Sequence, residues 1–141
     1  MVYIRLMENY LNSNKDTSKL IIGTLSGTSV DSIDIVLIRI SKYGIQTELE
    51  VIKYAQYPFT KEIKNFILKC TSPEQSNVAD ICKLNFILGR LFSEKINNFI
   101  KEAGCSSSDI SYIGSHGQTI YHVPSDEKYF GYSGKSTLQI A

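Results

Sequence analysis

Hydrophobic positions first recur with the pattern of strands. Residues 19–25 and 33–40 are aliphatic runs with the length and β-branched content of buried strands, and turn-forming residues separate them. Residues 48–59 predict a third strand, in which Leu49 and Val51 alternate with polar neighbours. Short connections between three successive strands predict an antiparallel meander.

The pattern then changes to the period of helices. Thr60 is a predicted N-cap for a short helix over residues 61–70, and Pro73 follows the end of that helix. A longer helix is predicted over residues 74–103, because apolar residues recur there at spacings of three and four. Gly104 is a natural stop for it.

The end of the chain returns to extended patterns. Residues 111–115 predict a short strand, residues 116–118 a polar loop that contains glycine, and residues 119–123 another extended stretch. A loop is predicted over residues 124–132, and the start of one more strand over residues 136–140. The order β-β-β-α-α-β, followed by a hairpin, predicts an α/β fold.

Composition narrows the class of protein. Fifteen basic and fourteen acidic residues give a net charge of +1, which provides no long-range attraction for nucleic acid or for an anionic membrane. Three widely spaced cysteines without a C-x-x-C pair predict reduced thiols. No aliphatic run approaches the ~20 residues that cross a bilayer. Residues 1–18 are predicted to be a flexible leader and not a signal peptide, residues 19–141 a single domain, and the location cytoplasmic.

A turn rich in glycine and hydroxyl groups lies between the first two predicted strands, at residues 26–34. Backbone N–H groups in such a turn converge on an anion, and Gly27 is expected to take left-handed angles that let a phosphate approach. Asp31 and Asp34 are hard oxygen ligands that could hold a hydrated magnesium ion through water. Taken alone, a turn of this composition is more often an ordinary hairpin loop.

A second polar segment, Ile113-Gly114-Ser115-His116-Gly117-Gln118-Thr119, follows the fourth predicted strand. Its side chains combine donors and acceptors that suit sugar hydroxyls. Taken alone, it also fits a surface loop.

Together these segments resemble the anhydro-N-acetylmuramic acid kinase family. Residues 26–34 are similar to that family's S-G-T-S-L-D-G-[IV]-D signature, and residues 113–119 match its I-G-S-H-G-Q-T stretch. Residues 137–140 resemble the T-L-Q-I that follows, and residues 84–92 its long-helix pattern. Ser32 departs from the pattern, because the family usually has glycine there.

The resemblance implies the first domain of a sugar kinase/actin/heat-shock ATPase-like fold, incomplete at its C-terminus. It implies ATP and Mg²⁺ as cofactors, and phosphorylation of 1,6-anhydro-N-acetylmuramic acid to N-acetylmuramic acid 6-phosphate during peptidoglycan recycling. The ATP-binding residues would be Gly27, Thr28, Ser29, Val30, Asp31, Ser32, Ile33 and Asp34. The sugar-binding residues would be Ser115, His116, Gly117, Gln118 and Thr119.

The same resemblance places the general base, an aspartate, downstream of Ala141. No catalytic residue is therefore expected among these residues, and the chain alone is expected to be an inactive, truncated portion. The expected partners are ATP and the anhydro amino sugar, with a homodimer or a complementing C-terminal half as protein partner and no nucleic acid or membrane.

Two alternatives follow from the same residues. Gly134-Lys135-Ser136-Thr137 suggests a P-loop, but Tyr129 stands where the first glycine of that motif belongs and no helix pattern follows. A non-catalytic remnant, or the nucleotide-binding subunit of a split kinase, stays open at this stage. A neighbouring reading frame that encodes the remainder would favour the split kinase.

Overall fold

The structure, a computed structural model, describes residues 18–141 as a five-stranded sheet with two α-helices. The elements are β1 (Lys19–Ser26), β2 (Ser32–Ser41), β3 (Glu48–Pro58), α1 (Lys61–Thr71), α2 (Val78–Glu102), β4 (Ile110–Tyr129) and β5 (Tyr132–Ile140). The strand order is β3-β2-β1-β4-β5, and only the β1–β4 pair is parallel. The mixed sheet confirms the predicted α/β class. The leader predicted for residues 1–18 lies, except for its last residue, outside the described residues.

The predicted meander is confirmed, and its side chains alternate between the two faces of the sheet. Ile33, Ile35 and Leu37 of β2 are buried, whereas the residues between them are only partly buried. The buried set faces α1 and α2, and this side is called the helix face below. The opposite side, which carries Asp34 and Leu25, is called the outer face.

Both helices cover the helix face with the apolar stripes that their periodicity predicts. From α2, Leu84, Leu88, Phe92 and Phe99 enter one core cluster, together with Ile67 of α1. An ion pair between Lys69 and Asp80, 2.7 Å long, joins the end of α1 to the start of α2. No helix within residues 18–141 is long and apolar enough to span a bilayer.

Helix caps set the boundaries of both helices. The Thr60 side chain accepts the N–H of Ile63, which confirms the predicted start of α1. In α2, the Asn77 side chain accepts the N–H of Asp80 at 2.9 Å, so the helix starts at Val78 and not at the predicted residue 74. Gly104, with φ +71°, follows the last turn as predicted.

The second half of the sheet differs from the prediction, because β4 is one long, irregular strand. The predicted loop over residues 124–132 is wrong: β4 runs on to Tyr129 and reaches β5 through a two-residue turn at Phe130 and Gly131. Both turn residues have positive φ, 49° and 88°, as in the tight turns that match the twist of paired strands. A register shift between Val123 and Glu127 accommodates Pro124, which had suggested a break.

The pairing of β4 with β5 covers β4 only from Gln118 to Tyr129. Residues 110–117 pair with β1 along one edge. Within residues 18–141, their other edge, which points away from β1, therefore has no strand partner.

Loss of packing on the helix face should destabilise the chain strongly. Leu84→Ala removes a fully buried side chain of α2 and is expected to lower the free energy of unfolding by about 2–5 kcal/mol. The matched control is Leu68→Ala, at a leucine of α1 that is 45% exposed, with an expected loss of about 0.5 kcal/mol or less. Urea denaturation of the two variants measures both values. Equal losses would contradict the packing of α2 on the sheet.

Candidate functional site

The hydroxyl-rich turn connects β1 to β2 and is closed by its own backbone. The N–H of Val30 donates to the carbonyl of Gly27 at 3.1 Å, which leaves Thr28 and Ser29 exposed at the tip. Ser32, Ile33 and Asp34 follow as the first residues of β2. The Ile33 side chain belongs to the core, so Ile33 can contribute only its backbone to a ligand.

Backbone strain in this turn lies at Val30. Its φ is +54°, in the left-handed region that a β-branched residue rarely adopts, and its side chain is only 2% exposed. The strain, about 1–2 kcal/mol, is offset by burial of the side chain in the core. The expectation that Gly27 supplies the left-handed angle is therefore wrong, and a Cβ at Gly27 would meet only Ser29 Oγ, at 3.8 Å. Strain of this kind is common in ligand-binding turns.

Asp31 ties the turn to α1 and to the end of β3. Its carboxylate forms an ion pair with Lys64 of α1, and its backbone carbonyl accepts the N–H of Phe59 at 3.0 Å. Hydrogen bonds from Lys64 and then Ser29 hold the pKa of the Asp31 carboxyl below its usual value. Asp31 is therefore a fixed anion at neutral pH.

Asp34 has a different set of partners, on the outer face. Its Oδ1 accepts from the Tyr54 hydroxyl at 2.9 Å and from Gln56 Nε2 at 2.8 Å, and Ser32 Oγ lies 3.4 Å away. The hydrogen bond to this carboxylate raises the pKa of Tyr54. Asp31 and Asp34 are thus held by different neighbours, and residues 18–141 contain no group of three or more His, Cys, Asp or Glu side chains that could hold a metal ion. A hydrated ion carried by phosphates fits these carboxylates better than a direct protein site does.

The second predicted segment is a bulge within β4 and not a loop. Thr24 pairs with Ser115 and Ser26 pairs with Gln118, so one residue of β1 lies opposite two residues of β4, His116 and Gly117. Gly117 has φ +70°, and a Cβ there would lie 2.4 Å from the carbonyl oxygen of Ile140. Because β5 approaches so closely, only glycine fits at this point of the bulge.

The bulge separates the side chains of its neighbours. His116 is exposed, and its Nε2 lies 2.9 Å from Nε2 of Gln139 on β5. Gln118 is fully buried, and its Oε1 accepts from Ser26 Oγ at 2.6 Å. Residues 92 positions apart in the sequence therefore meet at the base of the turn.

Two cavities bring the two segments together. On the outer face, a cavity of about 320 Å³ has Leu25, Asp34, Tyr54 and His116 in its wall. A second cavity of about 260 Å³ lies between the turn, α1 and β4. Its wall includes Thr28, Val30, Leu68, Thr71, Thr119 and His122. Each cavity contains residues from both predicted segments.

Comparison with known sequences identifies the family of the chain. The sequence profile of a family described as anhydro-N-acetylmuramic acid kinase matches residues 19–141, which include both segments and every described element. The chain belongs to the anhydro-N-acetylmuramic acid kinase family.

Curated relatives named anhydro-N-acetylmuramic acid kinase match the same part of the chain. The protein from Caldanaerobacter subterraneus subsp. tengcongensis is 40% identical over 134 residues, which cover 95% of this chain and 34% of the relative. Those from Bacillus thuringiensis subsp. konkukian and Bacillus anthracis are 45% identical over 120 residues, which cover 85% of this chain and 31% of each relative. The chain thus spans about a third of the length of these kinases.

The residues that support the predicted site residues were not predicted from the sequence. Lys64, Tyr54, Gln56 and Gln139 all contact predicted site residues. The helical period of α1 predicts the face on which Lys64 lies, but the register shift in β3 hides the faces of Tyr54 and Gln56 from local alternation. Local pattern does not show which carboxylate each side chain contacts.

Removing the Lys64 ammonium should raise the pKa of Asp31. In Lys64→Met the pKa is expected to return towards the ordinary carboxyl value, because the largest cause of its depression is lost. A lowered pKa means that Asp31 stabilises the fold above its ordinary pKa and that this contribution is lost as pH falls through the folded value. The variant should therefore lose stability at neutral pH but little in strong acid.

The measurement is an NMR titration of the Asp31 carboxyl carbon, with urea denaturation at neutral and acid pH. Lys61→Met, in the first turn of α1, is the control that changes charge without removing this pair. An unchanged Asp31 titration in Lys64→Met would contradict the ion pair.

Proposed function

We propose that the chain contributes the nucleotide and sugar sites of an ATP-dependent kinase of 1,6-anhydro-N-acetylmuramic acid, which yields N-acetylmuramic acid 6-phosphate for peptidoglycan recycling. One observation carries the proposal: the two segments that define the family lie side by side around common cavities. We further propose that residues 19–141 form the first part of a sugar kinase/actin/heat-shock ATPase-like domain. The mixed sheet, with its helices on one face, is compatible with that assignment.

We propose that the ATP phosphates lie at the tip of the β1–β2 turn. Support comes from the exposed hydroxyls of Thr28 and Ser29, and from Gly27, which lets the backbone approach a phosphate closely. Magnesium, bound through the phosphates and water, would neutralise charge on the transferred group. Asp31 and Asp34 would orient that hydration shell. The proposed ATP-binding set is Gly27, Thr28, Ser29, Val30, Asp31, Ser32, Ile33 and Asp34.

We propose that the sugar lies beside the β4 bulge, at Ser115, His116, Gly117, Gln118 and Thr119. Gln118 belongs to this set through its backbone alone, because its side chain is fully buried. His116 borders the outer-face cavity, and Gln139 holds its ring from β5. Thr119 borders the second cavity together with Thr28, so a sugar oxygen near Thr119 would be close to the turn. Such proximity is what phosphoryl transfer needs, because its catalysis depends mainly on positioning.

The proposed reaction exchanges two bonds: phosphorus changes its oxygen partner from ADP to oxygen 6 of the sugar, and carbon 1 changes its oxygen partner from oxygen 6 to water. Oxygen 6 takes the γ-phosphoryl group and ADP leaves, while water adds to carbon 1 and cleaves its bond to the same oxygen. A general base must take the proton of that water. We propose, as the resemblance to the kinase family implies, that this base is an aspartate outside residues 1–141.

A base outside the chain makes a complementing C-terminal half necessary for turnover, and we propose such a half as a protein partner. A homodimer of the chain is the second proposed partner, but it would not supply the base, because both copies carry the same residues. Isothermal titration of the chain with Mg·ATP tests the nucleotide part directly. Saturable binding of one ATP per chain is expected. A coupled assay of ADP release with the anhydro sugar should show no turnover by the chain alone. Turnover without a partner would contradict the assignment of the base.

Gly27→Ala should weaken ATP binding without harming the fold. The new Cβ meets only Ser29 Oγ at 3.8 Å in the free chain, but it occupies the surface along which a phosphate would approach. We expect Mg·ATP affinity to fall about tenfold, which is 1.4 kcal/mol, with an unchanged melting temperature. Gly134→Ala is the control, since nothing lies within 4 Å of its added Cβ. Equal ATP affinity in both variants would remove the turn from the nucleotide site.

His116→Ala should weaken sugar binding and spare ATP. Loss of a ring that borders the outer-face cavity removes a hydrogen-bonding group for a hydroxyl, worth about 0.5–1.5 kcal/mol. The matched control is His122→Ala, because His122 borders the second cavity. Titration of each variant with the anhydro sugar and with Mg·ATP distinguishes the sites. A greater loss of sugar affinity in His122→Ala would assign the sugar to the second cavity.

A further inference from the structure

Gln118 is a polar side chain with no exposed surface, in a segment otherwise rich in exposed groups. Its amide is fully occupied inside the protein. Oε1 accepts from Ser26 Oγ at 2.6 Å, and Nε2 donates to the carbonyls of Thr119 at 3.1 Å and Gly27 at 3.5 Å. A primary amide has two N–H donors, and both have acceptors here. The side chain is thus bonded to the protein at each of its polar atoms.

The bulge is what puts Gln118 in this position. Side chains alternate along a regular strand, and Ser115 pairs with Thr24, which is buried on the helix face. Without an extra residue, position 118 would point to the outer face, beside His116. The additional residue of the bulge turns Gln118 to the buried side, opposite Ser26.

From that side, Gln118 holds the base of the turn. Ser26 is the last residue of β1 and Gly27 the first of the turn, and the amide bonds to one group of each. Thr28 and Ser29, at the tip, follow directly. The strained Val30 closes the same turn, so its geometry depends on fixed anchors at both ends.

We propose that Gln118 is a positioning residue for the phosphate turn, which acts through Ser26 and Gly27 and does not contact the sugar through its side chain. The inference rests on the proposed function, because it assigns the turn to phosphate. In this proposal, one bulge of β4 serves both segments. It places His116 on the outer face, and it places Gln118 on the helix face, where Gln118 bonds to the β1–β2 turn.

Gln118→Glu gives the sharpest test, because it keeps the shape and makes the role depend on pH. When neutral, the introduced carboxyl can still accept from Ser26 and donate to one carbonyl. When ionised, it faces the carbonyl oxygens of Gly27 and Thr119 without a donor between them. Burial raises the pKa of such a carboxyl, so the neutral form persists at mildly acidic pH.

We expect Mg·ATP affinity of Gln118→Glu to lie within about threefold of wild type near pH 5 and to be about tenfold or more weaker near pH 8. Affinity for the anhydro sugar should change less than about twofold at either pH, because a substitution that touches no sugar contact alters binding by only a few tenths of a kcal/mol. The control is Gln46→Glu, at an exposed residue in the β2–β3 connection, with no such pH dependence. A purely structural role would alter the melting temperature without this separation of ATP from sugar.

Amide hydrogen exchange of Val30, whose N–H donates to the carbonyl of Gly27 at 3.1 Å, provides a readout that needs no ligand. The protection of this turn amide relative to wild type at the same pH should fall in Gln118→Glu near pH 8 and recover near pH 5. Ser26→Ala, a smaller change that leaves Oε1 of Gln118 unpaired, should reduce the same protection. It serves as the second variant if Gln118→Glu does not fold near pH 8.

These experiments distinguish a failure of the proposed nucleotide site from a failure of the positioning role of Gln118. If the wild-type chain does not bind Mg·ATP, the proposed nucleotide site fails, while the exchange of the turn amides still decides whether Gln118 holds the turn. Unchanged turn protection in both Gln118→Glu and Ser26→Ala overturns the positioning role. A loss of sugar affinity alone in Gln118→Glu also overturns it, and would assign Gln118 to direct sugar contact.

Discussion

The parallel pairing of β1 with β4 is the constraint on which the site depends. The chain leaves β1, forms two more strands and both helices, and returns alongside β1 at Ile110. That return places the helices on one face of the sheet and brings the β1–β2 turn next to the β4 bulge. Parallel neighbouring strands need a long crossover connection. The two family segments are therefore far apart in the sequence, although they are adjacent in the folded chain. Every contact between them follows from this one pairing.

The sequence predicted those elements whose own periodicity determines them. Alternation in β2 and the three-and-four spacing of Leu84, Leu88 and Leu91 each reflect burial against a single surface, which local pattern records. It predicted two parts of β4, residues 111–115 and 119–123, but not one continuous strand to Tyr129, because Gly117 and Pro124 are typical strand breakers. Pairing with β1 and β5 overrides their local preference, and bulges absorb the irregularity.

Within the site, sequence indicated which segments are special but not the role of each residue. Left-handed backbone was expected at glycine, yet it occurs at Val30, since burial of the side chain outweighs the local preference. The burial of the Gln118 side chain was not predicted, because a one-residue bulge that reverses its direction cannot be recognised without the partner strand. Partners such as Lys64 depend on how α1 sits on the sheet, which only tertiary structure determines.

The unpaired edge of β4 has a consequence for the behaviour of the chain in solution. Along residues 110–117, the backbone N–H and C=O groups that point away from β1 have no strand partner in the described part of the chain. The side chains of Tyr112 and Ile113 on this strand are mostly exposed. Such an edge is a template onto which another extended chain can add. Copies of the chain would add edge to edge, so self-association should increase steeply with protein concentration. A lysine in place of exposed Ser111, the charge that natural edge strands use against such growth, would blunt it.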